Sequence, residues 1–350
     1  MASYRERLTA DLDRWIAAGL TPAENRQAML DMAVEPRRLD AATALALVGV
    51  VFMGAAVIAF VAANWDGIPR IGRFAILITA FLGAAGAGAW TGSRGRPNAA
   101  NGLLTLAAAL FAASIGLTGQ IFDIAGDPKT ALLGAAAGAV LLALVGRSSG
   151  ALIAALLFVG MADFLPPQSY WLAPAAVVGV AVAWLWRSVP AAHAAGLAFA
   201  VGVWLAADRL TPDGINQAVP GLAASAVLAA AAFIASTRRD EGRQEATILY
   251  GWWVWAALAA FASVAVWNAG DTVKVIHRIA WLLISGAVLA LGRHDRHALV
   301  TAAGVVSLMA AVAAVLFDLG LDLVYAAVVF GAAAVLVLGA GWLLRRRSTP

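Results

Sequence analysis

His297-ALVTAAGVVSLMAAVAAVLF-Asp318 carries twenty residues without a single charge between its two polar ends. As an α-helix rising 1.5 Å per residue it would be about 30 Å long, the thickness of a bilayer's hydrocarbon core. The rest of the chain repeats this pattern. Apolar runs fall at about 42–63, 74–91, 101–119, 130–146, 149–165, 171–186, 191–207, 219–236, 246–267, 276–292, 297–317 and 323–344. Of the 350 residues, 62% are hydrophobic and 13% charged, and the mean hydropathy is +0.84. Soluble domains carry about 25% charged residues. The expectation is an all-α, polytopic transmembrane bundle of about 12 spans, in which 130–146, 149–165 or 171–186 is short enough to be broken or re-entrant.

Charge placement sets the expected orientation. Of the 24 Lys and Arg residues, eighteen lie on one side of the membrane if residues 1–40 are cytoplasmic, and six on the other. Arg94, Arg147, Arg187, Arg238 and Arg293 mark the successive inner loops, and Arg345–Arg347 close the inner side. Such a bias is the positive-inside rule, and an even number of spans then keeps both termini cytoplasmic. The expected arrangement is a multi-pass protein with residues 1–40 on the cytoplasmic side of its membrane. The formal charge of +4 is spread along the chain and points to no nucleic acid partner. With no cysteine, disulfides and thiolate metal sites are excluded.

Residues 1–40 read as a cytoplasmic two-helix head. Leu8, Leu12, Trp15 and Ile16 share one face, Gly19 suits a stop, and Thr21-Pro22-Ala23-Glu24 resembles a capping box. The second helix is expected to bury Ala28, Met29, Met32 and Ala33. A protein partner could dock on this head. Residues 41–350 form the bundle, divisible into three four-helix units at about 41–147, 148–237 and 238–350. That division rests on the acid pairs Asp123/Asp127, Asp208/Asp213 and Asp318/Asp322, each followed by a small-residue helix. Strings such as Gly134-Ala-Ala-Ala-Gly138 and Gly221-Leu-Ala-Ala-Ser225 suit close helix contact in lipid.

No Asp, Glu, Lys or Arg falls in the middle of these runs, whereas proton-coupled carriers usually place one at depth. Thr105, Ser114, Ser225, Tyr250, Ser263, Ser285 and Ser307 are the mid-run hydroxyls, expected to bond back to their own helices. Polar interest concentrates in two outer loops, Ala63-Asn64-Trp65-Asp66-Gly67-Ile68-Pro69-Arg70 and Gly119-Gln120-Ile121-Phe122-Asp123-Ile124-Ala125-Gly126-Asp127. If the helix continues through Gln120, then Gln120, Asp123 and Asp127 share a face. Asn64, Trp65, Asp66, Gln120, Asp123 and Asp127 are therefore the candidate ligand-binding residues, suited to a small polar or cationic solute. His294-Asp295-Arg296-His297 lacks a third ligand for a metal and reads as a solvated loop. No catalytic residues, metal or cofactor are expected, and enzymatic activity is not indicated.

The head residues Leu12, Trp15 and Gly19-Leu20-Thr21, together with Ala62–Pro69 and Gly119–Asp127, resemble a family of bacterial predicted membrane proteins known as domain of unknown function 2157. The resemblance covers residues 8–145. It implies an integral membrane protein with the lipid bilayer as partner and no assigned activity. Phe122-Asp123 stands where the family carries an aromatic–histidine pair, so no role of that histidine transfers. The function expected from these readings is transporter-like or channel-like, with an acidic outward-facing vestibule. The alternative is a non-transporting scaffold or envelope-assembly factor that docks partners through its head.

Overall fold

The computed structural model describes residues 4–32, 65–212, 218–239, 242–264 and 271–319, all of whose regular structure is helical. The chain divides into two compact units, Met1–Pro69 and Arg70–Pro350.

In the first unit, α1 (Tyr4–Ala17) and α2 (Asn25–Met32) form the expected helical hairpin. Gly19 closes α1 at φ +71°, and the Leu20 N–H returns to the Trp15 carbonyl. Glycine adopts that left-handed conformation without a Cβ clash, which explains its place at this helix end. Leu12 and Leu30 are buried, and an Arg26–Asp13 ion pair at 2.7 Å ties the helices together. Arg26 holds the Asp13 carboxyl below its ordinary value, chiefly through this hydrogen bond. Ala28, Met29 and Met32, expected inside, are exposed, and α2, starting at Asn25, turns Leu30 inward instead. Ala33 lies outside the described residues. A short 3-10 turn, Trp65–Gly67, is the other described element of this unit.

The second unit contains ten described helices. They are α3 (Arg70–Ser93), α4 (Pro97–Ile121), α5 (Pro128–Gly146), α6 (Ser149–Phe164), α7 (Leu172–Trp186), α8 (Val189–Leu210), α9 (Ala218–Thr237), α10 (Gln244–Ala262), α11 (Asp271–His294) and α12 (Ala298–Asp318). Consecutive helices pair as five hairpins, α3/α4 through α11/α12. The second helices of these hairpins, α4, α6, α8, α10 and α12, pack in series against one another.

The turns inside all five hairpins share one construction. Gly95, Arg147, Arg187, Gly242 and Arg296 occupy the left-handed region, with φ between 48° and 69°. In four turns the next residue's N–H reaches back five positions: Arg96 to Thr91, Ser148 to Ala143, Ser188 to Ala183 and His297 to Gly292. This 6→1 bond satisfies the end of one helix. Ser148, Ser188 and His297 then cap the following helix by accepting the N–H of Ala151, Ala191 and Val300. In these three hairpins a turn of two or three residues thus serves two helix ends, which keeps the hairpin tight.

The expectation of about 12 spans is not met. Among the described residues, seven helices are long and apolar enough to cross a membrane: α3, α4, α5, α8, α9, α11 and α12. The runs at 42–63 and 323–344 lie outside the described residues. Helices α6 and α7 have 16 and 15 residues, about 24 Å and 22 Å at 1.5 Å per residue, short of about 30 Å. Helix α10, with 19 residues, is not among the seven. It is the most enclosed helix, with ten buried residues including Tyr250 and Trp253, and it lies against α8, α9 and α12. A run of apolar residues therefore marks burial here as well as lipid exposure.

Small residues do set the helix contacts. The position of a Cβ on Gly138 is taken by the Phe111 ring, and Gly221 faces Val264 and the Ala260 carbonyl. The closest backbone approach lies elsewhere, in α11/α12. There a Cβ on Gly304 would stand 2.5 Å from the backbone nitrogen of Leu289, and Gly292 faces the backbone of Thr301.

Candidate functional site

The polar residues of the α4–α5 loop do not share a helix face. Helix α4 ends at Ile121, and Asp123 turns into the left-handed region at φ 52°, while the Ile124 N–H bonds to the Gly119 carbonyl at 2.9 Å. This is the same helix-ending motif as in the tight turns, and it breaks the three- and four-residue spacing on which the shared face rested. Asp127 is the N-cap of α5. It accepts the Thr130 N–H at 2.9 Å, the Thr130 hydroxyl at 2.7 Å and the Lys129 N–H at 3.4 Å. The Thr130 hydroxyl and then its N–H hold the Asp127 carboxyl below its ordinary value. Asp123 accepts from Arg70 Nη2 at 2.8 Å, with 73% and 62% of the two side chains exposed. A pair so exposed contributes about 0–1 kcal/mol and yields readily to another partner.

Gln120, Asp123 and Asp127 nevertheless line one cleft of about 760 Å³ between α4 and α5. Its apolar walls descend to Ala112 and Ala135. Ala112 lies nine residues before the end of α4, a depth of about 14 Å at helical rise. Trp65 and Asp66 belong to the 3-10 turn of the first unit, and Asn64 lies outside the described residues.

A second polar assembly went unread in the sequence. Arg239, after α9, donates through Nη1 to Asp295 Oδ2 at 2.8 Å and through Nη2 to the Asp295 carbonyl at 3.2 Å. The Tyr250 hydroxyl donates to the same Oδ2 at 3.0 Å, and the guanidinium lies 4.9 Å from the Tyr250 ring centre. Burial works to raise the Asp295 carboxyl, but the bonds from His294, Arg239 and Tyr250 and the arginine's charge outweigh it and hold it low. His297 is buried: Nδ1 accepts the Val300 N–H at 3.3 Å, so the proton sits on Nε2, facing the Thr247 carbonyl at 3.1 Å. Asp295 and His297 thus form a structural junction, while His294 and Arg296 are exposed as a solvated loop would have them.

The mid-helix hydroxyls divide. Thr105, Ser114 and Ser263 bond to their own helices as expected. Ser225 donates across to the Ala257 carbonyl, while Ser307 accepts from Trp281 Nε1 at 2.9 Å and pairs with Ser285 at 2.8 Å. Among the described residues, no group of three or more His, Asp or Glu side chains gathers as a metal site would require.

Residues 13–152 match the family model described as "Predicted membrane protein (DUF2157)". No curated protein and no solved structure matches the chain.

Proposed function

We propose that this multi-pass membrane protein, whose residues 13–152 are of the DUF2157 family of predicted membrane proteins, is transporter-like or channel-like and takes up a small polar or cationic solute. The α4–α5 cleft is its vestibule. The observation that carries this reading is the cleft itself, about 760 Å³ with Gln120, Asp123 and Asp127 around its rim and apolar walls descending from it. Asp127 is engaged as a cap, so Asp123 is the acid free to exchange its exposed partner Arg70 for a cationic solute. Choline and spermidine are suitable first probes: either should raise the melting temperature of the purified protein. Asp123→Asn should remove the rise while leaving the ligand-free melting temperature near that of the wild type. A rise that survives Asp123→Asn rejects the assignment.

In this reading the protein sits in a bacterial inner membrane with the tight hairpin turns, and both termini, cytoplasmic. Arg96, Arg147, Arg187, Arg243 and Arg296 support that placement, since each of those turns carries one arginine at its left-handed residue or just after it. The absence of cysteine makes the test direct. In intact cells, Gly126→Cys should react with a membrane-impermeant maleimide and Ser93→Cys should not; the opposite labelling inverts the topology.

A scaffold role is favoured by one other observation. Trp15, Leu20 and Met32 leave apolar side chains exposed on the head, Leu20 at 75% and Met32 at 80%, as a protein-docking module would. Deleting residues 1–40 should strip co-purifying proteins from a scaffold, whereas a transporter should keep its solute-dependent melting.

A further inference from the structure

A second cleft, about 790 Å³, runs between α9, α10 and α11. Helix α10 is its floor, and α9 and α11 are its walls. Its character changes along its length. From Ser225 to Phe233 on α9, and along Val254, Leu258 and Ile284 opposite, it is lined by apolar and small side chains. Its other end is formed by Ser236, Arg239, Tyr250, His294 and Asp295. The eleven helical steps from Ser225 to Ser236 span about 16 Å, close to the roughly 15 Å of hydrocarbon in one leaflet.

The polar end is cationic. Asp295 is already engaged by Arg239, Tyr250 and His294. A guanidinium has five N–H donors, and the bonds to Asp295 use two of those of Arg239. The His294 side chain, 87% exposed, stands beside it. Arg238, Arg239, Arg243, Arg293 and Arg296 exceed Asp240, Glu241, Glu245 and Asp295 by one, so the adjoining sequence is net positive with every neighbouring acid counted. A cleft that is apolar for the depth of one leaflet and cationic at the headgroup level matches an amphipath carrying a phosphate.

We propose that the α9–α10–α11 cleft is a binding site for an anionic phospholipid, with its phosphate held by Arg239 and His294 and an acyl chain laid along Ala226, Ala229 and Val254. The Arg239–Asp295–Tyr250 junction orients the guanidinium toward the headgroup. The cleft is separate from the α4–α5 vestibule, and neither assignment depends on the other.

The test uses the full chain in detergent with added dioleoyl phosphatidylglycerol, dioleoyl phosphatidylcholine or glycerol 1-phosphate. The phosphatidylglycerol should raise the melting temperature well above the effect of an equal amount of phosphatidylcholine, and native mass spectrometry should show it retained. Ala229→Phe fills the cleft from an exposed position, and should keep the lipid-free melting temperature while losing most of the increment and the retained lipid. Ala226→Leu, one turn away, should do the same and serves if the larger ring impairs folding. Arg239→Gln should reduce the preference for phosphatidylglycerol over phosphatidylcholine. The proposal is overturned if the filled variants keep the full increment, if the two lipids act alike on the wild type, or if glycerol 1-phosphate alone reproduces the effect.

Discussion

Gly304→Leu is expected to abolish the α11/α12 hairpin and, with it, recovery of monodisperse protein. A Cβ at position 304 would lie 2.5 Å from the nitrogen and 2.6 Å from the Cα of Leu289. Those atoms are helix backbone and cannot rotate aside, so the two helices must separate. Separation also breaks the Trp281–Ser307–Ser285 hydrogen bonds, which cross the same interface and are buried. Overpacking by one or two methylenes costs about 1–3 kcal/mol in a well-packed interior. Gly304→Ala should fall in that range, and leucine should exceed it. Gly286, also on α11, has nothing within 4 Å of its would-be Cβ. Gly286→Ala should therefore leave the melting temperature unchanged. Size-exclusion profiles and thermal melts of the three variants check this, and equal loss at both glycines would refute the close-approach explanation.

Asp163→Ala should be the other severe substitution. Asp163 is wholly buried at the end of α6, where Oδ1 accepts the Ser169 hydroxyl at 2.5 Å and Oδ2 accepts the Leu172 N–H at 2.7 Å. It folds the α6–α7 connection back on itself and satisfies the first turn of α7. Alanine would leave the buried Leu172 N–H unpaired, at about 1–3 kcal/mol, and would strip the half-buried Ser169 hydroxyl of its acceptor. Asp163→Asn keeps an oxygen for Leu172 and presents an amide that can donate to the Ser169 oxygen. It should therefore lose much less than alanine. Denaturant titration of the two variants gives the comparison, and identical losses would show that the hydrogen bonds are not the cause.

These two residues illustrate what was legible in the sequence. Asp163 could be placed near a helix end by its apolar flank, but its partners six and nine residues on depend on how the connection folds. Asp127-Pro128-Lys129-Thr130 carried a readable signal, an acid at the N-cap followed by proline, which argued for a cap more strongly than for a ligand. Hydropathy located the helices well because each hairpin buries only a narrow seam and leaves the rest apolar for lipid. It misjudged the span count because an apolar run gives no account of helix length after capping, as α6 and α7 show. It also could not distinguish α10, enclosed by other helices, from a helix facing lipid. The Arg239–Asp295–Tyr250 junction joins positions 56 and 45 apart. No local spacing encodes that distance, so the residues looked like a loop arginine, a loop acid and an isolated tyrosine.

The five hairpins touch only their immediate neighbours in the row, apart from the faintest contacts among the described helices. Each adds an even number of helices and returns the chain to the end it left. Gene-level duplication or loss of one such unit would create a single new seam and leave the handedness and sidedness of every other unit intact. The architecture can therefore vary in length during evolution by whole pairs, with the cap-bearing turn acting as the joint at which a unit is copied.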